Sequence, residues 1–153
     1  MGLLDLAQFQ AALPDKGALL GLDPGEKRIG VAVSDPTRLI ASPLATQPKR
    51  KLQEDLTALL AFLDGRSCVG VVVGWPLTLE GRVGPAAQAS RAFANNLLKR
   101  RDLPVLLWDE RLSTAAVQRQ MIAADVSRAT RAAVVDAQAA AFMLQGALDR
   151  LRA

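Results

Sequence analysis

Three carboxylates, Asp23, Glu110 and Asp136, stand where apolar patterns should continue: the first two end strand-like runs, and Asp136 sits inside the apolar stripe of a helix. A buried carboxylate is costly unless it is hydrogen-bonded, ion-paired or bound to a cation. Convergence of the three would therefore amount to a metal site. The chain has no histidine, which removes His-based acid–base relays and His-rich zinc sites and leaves carboxylates with Mg²⁺ or Mn²⁺ as the chemistry to expect. Three ionised carboxylates within ~5 Å would repel by roughly 3 kcal/mol per pair at an effective dielectric of 20. One or two divalent cations would offset that repulsion, activate a water and stabilise charge developing on a phosphate.

Each carboxylate also has a plainer reading. Asp23 and Glu110, taken singly, are solvated loop carboxylates beyond strand ends. Asp136 shares its helix side with Ala132, Ala133, Ala140, Met143 and Ala147, so its alternative is an ion pair to Arg128, Arg131 or another Arg. Asp109 competes with Glu110, because strand alternation puts Leu106, Trp108 and Glu110 on one face and Val105, Leu107 and Asp109 on the other, and periodicity does not choose. Gly25 and Gly30 bracket Glu26-Lys27-Arg28-Ile29, either a simple hairpin or a turn where backbone approaches a phosphate. Lys49-Arg50-Lys51 and Arg100-Arg101 read first as solvated faces, with salt-sensitive phosphate contacts as the alternative for either, and Trp75 and Trp108 as core residues rather than stacking platforms.

The elements that must position these groups follow from pattern. Residues 1–17 carry scattered Leu and Phe9 and end in Pro14-Asp15-Lys16-Gly17, a short amphipathic helix and a turn. Ala18 to Leu22 and Ile29 to Ser34 predict a hairpin, and Leu39 to Leu44 a further strand that Pro43 confines to an edge or ends early. Leu52, Leu56, Leu59, Leu60 and Leu63 place a helix over Lys51 to Leu63, with Gly65 as its stop. Cys68 to Val73 is apolar on both faces, as a central strand covered on each side requires. Pro85 opens a helix to about Arg101, Pro104 to Trp108 predicts a strand, and Ser113 an N-cap for a helix to about Ala124. A last helix runs from about Arg131 to Leu151. Strands first, then strand and helix in alternation, give a mixed α/β sheet with helices on both faces. In such sheets ligands collect beyond the carboxyl ends of parallel strands, where Asp23 and Glu110 fall.

At 153 residues and 50% hydrophobic content, the chain builds one core and one main domain over 18–153, with 1–17 as an N-terminal extension. A net charge of +4 favours a polyanion such as nucleic acid only weakly. The lone Cys68 forms no intramolecular disulfide and reads as an inert buried thiol, in keeping with a reducing cytoplasm. The amino-terminal residues lack a basic cluster and no apolar run reaches spanning length, so neither export nor a membrane is expected.

Taken together, Leu22-Asp23-Pro24-Gly25-Glu26-Lys27-Arg28-Ile29-Gly30-Val31-Ala32, Val73-Gly74-Trp75-Pro76-Leu77, Asp109-Glu110-Arg111-Leu112-Ser113-Thr114 and Val135-Asp136-Ala137-Gln138-Ala139-Ala140 resemble the YqgF/RuvX family in order and spacing. Gly81, Gly84 and Pro85 resemble the loop after the family's Gly-x-Pro-Leu motif, and the resemblance covers about Ala18 to Leu151. It implies a ribonuclease H-like fold, α/β with a mixed five-stranded sheet. It also implies a metal-dependent nuclease of structured nucleic acid, its acidic triad on Asp23, Glu110 and Asp136 holding Mg²⁺ or Mn²⁺; Glu110 is preferred to Asp109 on this ground. The family role so implied is maturation of the 5′ end of pre-16S rRNA, within precursor particles of the ribosome, or resolution of Holliday junctions, by a monomer or homodimer. Arg28, Arg111, Arg128 and Arg131 are candidates for holding phosphates. Before Asp136 many members carry lysines where this chain has Ser127-Arg128-Ala129-Thr130-Arg131-Ala132-Ala133; Arg still engages phosphate there. A non-catalytic RNA-binding assembly protein and an actin-like nucleotide phosphatase are the rival readings, the latter lacking its second phosphate loop and second domain.

Overall fold

The apolar run from Ala18 extends into a strand because both of its faces find a hydrophobic layer, and the rest of the sheet is assembled around it. The computed structural model describes residues 2–112 and 128–152, with side chains throughout except at 128–134. Its elements are β1 (Leu3–Leu4), α1 (Leu6–Ala12), β2 (Ala18–Pro24), β3 (Arg28–Ser34), β4 (Ala41–Pro48), α2 (Leu52–Gly65), β5 (Cys68–Trp75), α3 (Pro85–Arg100), β6 (Val105–Asp109), a 3₁₀ turn over Glu110–Leu112 and α4 (Arg128–Arg152). The helix expected from Ser113 to Ala124 lies outside the described residues.

The strands form one sheet in the order β1-β6-β5-β2-β3-β4. Strands β2 and β3 make the antiparallel hairpin, with Asp23 opposite Gly30, and the Gly25 N–H donates to the Arg28 carbonyl across the turn at 2.9 Å. Strand β2 runs parallel to β5 and β5 parallel to β6, so Asp23, Trp75 and Asp109 share one end of the sheet. Strand β4 is the edge that Pro43 predicts, yet it continues to Pro48 because an irregularity in the ladder between Val31 and Ala32 absorbs the proline.

Among the described residues the expected five strands are six. Leu3–Leu4 pair parallel with Val105 and Leu106, and two residues are too few to carry a periodic signal. The N-terminal segment is therefore built into the sheet. A capping box starts α1, where Asp5 accepts the Gln8 N–H at 2.8 Å and the Gln8 side chain accepts the Asp5 N–H at 3.0 Å. Its Phe9 is wholly buried, a burial that stabilises by about 1.5–3 kcal/mol.

Side-chain alternation splits the core in two. Leu20, Leu22, Val31, Val71 and Val73 face α2 and α3, with Leu56, Leu59, Phe93 and Leu97 among their neighbours. Leu19, Ala32, Val72, Leu106 and Trp108 face the other way, against Phe9, Met143, Leu144 and Leu148. Apolar character on both faces of β5 is thus used on both. A buried carboxylate outside this pattern, Asp55, accepts the Arg50 N–H at 3.0 Å and secures the start of α2. Asp35 binds the turn before β4, accepting from the N–H groups of Ile40, Leu39 and Thr37 and from the Thr37 hydroxyl. Led by the Ile40 bond, these lower its pKa to about 2. Among the described residues no helix is long and apolar enough to cross a membrane.

Candidate active site

Period-two alternation along β2 continues from Leu19 and Gly21, which face α4, to Asp23 at the strand end. The same rule along β5 carries Val72 to Gly74. Glu110 follows Trp108 into the 3₁₀ turn that ends β6. A methyl built on Gly74 would lie 2.7 Å from Glu110 Oε1 and 3.5 Å from Asp23 Oδ1, so both carboxylates converge over this glycine. Helix α4 supplies the third group. A methyl on Gly30, which stands opposite Asp23, would lie 2.0 Å from the Asp136 carbonyl oxygen; the bare glycine lets helix backbone rest directly on the hairpin. The three carboxylates line a single cavity of about 370 Å³, whose wall includes Lys49, Ser90 and Phe93. A larger hollow of about 740 Å³ lies by the β1–β6 margin, lined chiefly by leucines with Trp75, Trp108 and Asp109.

The ion pair expected as the plain alternative for Asp136 exists, with Arg28 from the hairpin as partner: Arg28 Nε donates to Asp136 Oδ2 at 2.7 Å. Asp109 lines the other hollow and is claimed by Arg111, whose Nε and Nη2 donate to it at 3.0 and 2.6 Å. That bond holds the Asp109 carboxyl below the usual carboxylate range and raises Arg111. Arg111 also reaches the Leu79 carbonyl and covers Gly81, where φ is +82°. In this conformation it is a strut between the 3₁₀ turn and the 78–82 loop. The side chains of Arg128 and Arg131, on the first turns of α4, lie outside the described residues. Lys49, read first as part of a solvated face and second as a phosphate contact, lines the cavity; its position just past the β4 edge carries no periodic signal.

Trp75 donates its indole N–H to the Ala87 carbonyl at 3.2 Å beneath the Arg91 guanidinium, 4.9 Å from the ring centroid, and so ties α3 to the end of β5. Trp108 is core. Cys68 is half-buried, and burial pushes its thiol up to about 11.

Among the described residues no three His, Cys, Asp or Glu side chains are gathered tightly enough to enclose an ion in this conformation, and Asp136 is engaged by Arg28. The donors nonetheless suit a hard divalent cation, since the cavity offers carboxylate oxygens without thiol or imidazole. Glu110 Oε1 is buried there.

Comparison with known proteins agrees with this architecture. The chain is 53% identical over 149 residues to a protein of Bradyrhizobium sp. (strain BTAi1 / ATCC BAA-1182) named "Putative pre-16S rRNA nuclease", covering 97% of this chain and 92% of the relative. A protein of the same name from Phenylobacterium zucineum (strain HLK1) is 51% identical over 154 residues, covering 99% of both. The fold is that of the RuvC-like resolvases of the ribonuclease H class: T. thermophilus RuvC, solved in complex with a Holliday junction substrate, superposes with a TM-score of 0.56 at 14% identity, covering 89% of this chain and 96% of that one. Residues 17–150 match the profile of the RuvX family, described as Holliday junction resolvase. With that match and relatives at this identity over nearly its whole length, the chain belongs to the RuvX family.

Proposed function

We propose that this protein is a divalent-metal-dependent nuclease that hydrolyses phosphodiester bonds in structured RNA, acting at the 5′ end of pre-16S rRNA. The observation that carries the reading is the single cavity lined by Asp23, Glu110 and Asp136 at the carboxyl ends of β2 and β6. The name borne by relatives at 53% identity supports the substrate. In this reading the three carboxylates hold Mg²⁺ or Mn²⁺. Ions held there would supply an acidified water and neutralise charge developing on the phosphate. The chain's own residues do the rest. Asp23 sits at the end of β2, opposite Gly30 of β3 and one residue past the Leu22–Val73 pair with β5, a well-anchored place for a ligand that must not move. Lys49 brings positive charge to the cavity wall, and Arg28, paired to Asp136, lines the adjoining hollow, where phosphates of the substrate would approach. Phe93, Pro76 and Pro85 form an apolar wall that limits water. Arg128 and Arg131, at sequence positions on the first turns of α4, are the further phosphate contacts of this proposal. A cytoplasmic location, and action on ribosomal precursor particles, belong to the same proposal.

Cleavage of branched DNA is the second reading, favoured by the description of the family the chain matches. One experiment separates the two. Purified protein with Mn²⁺ is incubated with pre-16S rRNA, a four-way DNA junction and single strands, alongside Asp23→Asn and an EDTA control. We expect cleavage of the precursor RNA that EDTA abolishes. Asp23→Asn should lose at least about a hundredfold, since even an outer-shell partner of a metal ligand is worth tenfold to a hundredfold. Cutting by Asp23→Asn at the wild-type rate sinks the assignment. RNA binding that persists in EDTA, without products in Mn²⁺, points instead to an assembly protein.

A further inference from the structure

We infer that Arg28 is a built-in placeholder cation, holding Asp136 in the site until a divalent ion takes the carboxylate, and then turning to the phosphate of the substrate. This rests on the metal-dependent reading above. Two observations carry it. The Arg28 Nε to Asp136 Oδ2 bond, 2.7 Å long, joins residues 108 positions apart and draws the guanidinium to the carboxylate of the cavity that α4 contributes. No three acidic side chains among the described residues enclose an ion while that bond is made.

The electrostatics explain why a placeholder is useful. Without a cation, Asp136 faces two other carboxylates across one cavity, and repulsion would drive it outward. A guanidinium at its side removes that force and keeps the helix seated. A divalent ion entering the cavity competes for the same oxygen and repels the guanidinium. Arg28 has somewhere to go: a hollow of about 290 Å³, bounded by Gly25, Glu26, Lys27, Arg28 and Asp136, adjoins the cavity, and the Arg28 side chain is already 40% exposed. Once released, its fork of donors matches a phosphate geometrically. Metal loading thereby creates a contact for nucleic acid, and nucleic acid, by holding Arg28 away, favours the metal; the coupling is reciprocal.

The test is Mn²⁺ binding by titration calorimetry without nucleic acid, on wild type, Arg28→Ala, Arg28→Lys and Asp136→Asn, each checked for folding by thermal melting. Removing a partly exposed competitor of this kind should tighten Mn²⁺ binding about fivefold in Arg28→Ala. Arg28→Lys should lie between that variant and wild type. Adding RNA should then tighten Mn²⁺ binding in wild type and not in Arg28→Ala. Mn²⁺ affinity that is unchanged or weaker in a folded Arg28→Ala overturns the inference while leaving the metal site intact. If wild type and Arg28→Ala both fail to bind Mn²⁺, or Asp136→Asn binds it as well as wild type, the metal-site reading fails and the inference with it.

Discussion

Replacing Gly30 by Ala strikes the point at which helix α4 meets the sheet, and its size follows from the geometry. The added methyl would lie 2.0 Å from the Asp136 carbonyl oxygen and 2.6 Å from the carbonyl carbon. Both atoms belong to helix backbone, so no side-chain rotation relieves the overlap. Reaching ordinary contact demands a displacement of the helix by roughly 1.4 Å, and overpacking of this kind costs typically about 1–3 kcal/mol. For a chain of this length that lowers the melting temperature by about 2–12 °C. The catalytic effect should be larger, because a misplacement of ~1 Å costs on the order of a hundredfold in rate, and the displaced residue carries the third carboxylate. Circular-dichroism melting and Mn²⁺-dependent cleavage measure the two effects. The control is Gly65→Ala at the end of α2, where a methyl meets nothing within 4 Å; it should melt no lower than wild type and cut normally. A Gly30→Ala protein that melts with wild type and cuts as fast would refute the claim that close approach at this glycine positions Asp136.

Two further outcomes follow from the same coordinates. Gly74→Ala places its methyl 2.7 Å from the terminal oxygen of Glu110, an atom that a side-chain rotation can withdraw; cleavage should fall at least about tenfold with a melting temperature within about 3 °C of wild type, and a fully active variant would contradict the convergence over Gly74. Acid stability should report Asp35. Its folded pKa, about 2, lies below the ordinary 3.8, so the stabilisation is present above about pH 4 and lost as the pH falls toward 2. Asp35→Asn should show a shallower fall in melting temperature across that window than wild type, and equal slopes would show that the turn does not depend on the charge.

Most of the architecture was legible because long periodic segments carry their own signal. The Leu52-to-Leu63 stripe and the doubly apolar Cys68-to-Val73 run fold as their patterns require. Short pieces were not legible: Leu3–Leu4 become a strand only because the β6 edge is there to receive them. Among the described residues the last helix spans Arg128–Arg152, taking in residues before the apolar stripe that marks it in sequence, since periodicity locates a helix better than its ends. At the site, the sequence points to the three acids but holds no information on pairing at a distance. That Asp136 would pair with Arg28, 108 positions away, depends on the helix lying across the hairpin, which Gly30 permits. Arg111, named as a phosphate candidate because guanidinium matches phosphate geometry, donates in this conformation to Asp109, two residues away, a pairing that strand periodicity does not signal.

The margins of the sheet have a consequence for how the protein behaves when crowded. On one side the outermost strand is only two residues long, and on the other it contains Pro43 and Pro48, neither of which has an N–H to offer. A stray polypeptide seeking to lengthen the ladder finds a short template at one margin and an interrupted one at the other. Both margins are thus poor templates for fibrillar growth, through the same terminal segment and prolines that complete the fold.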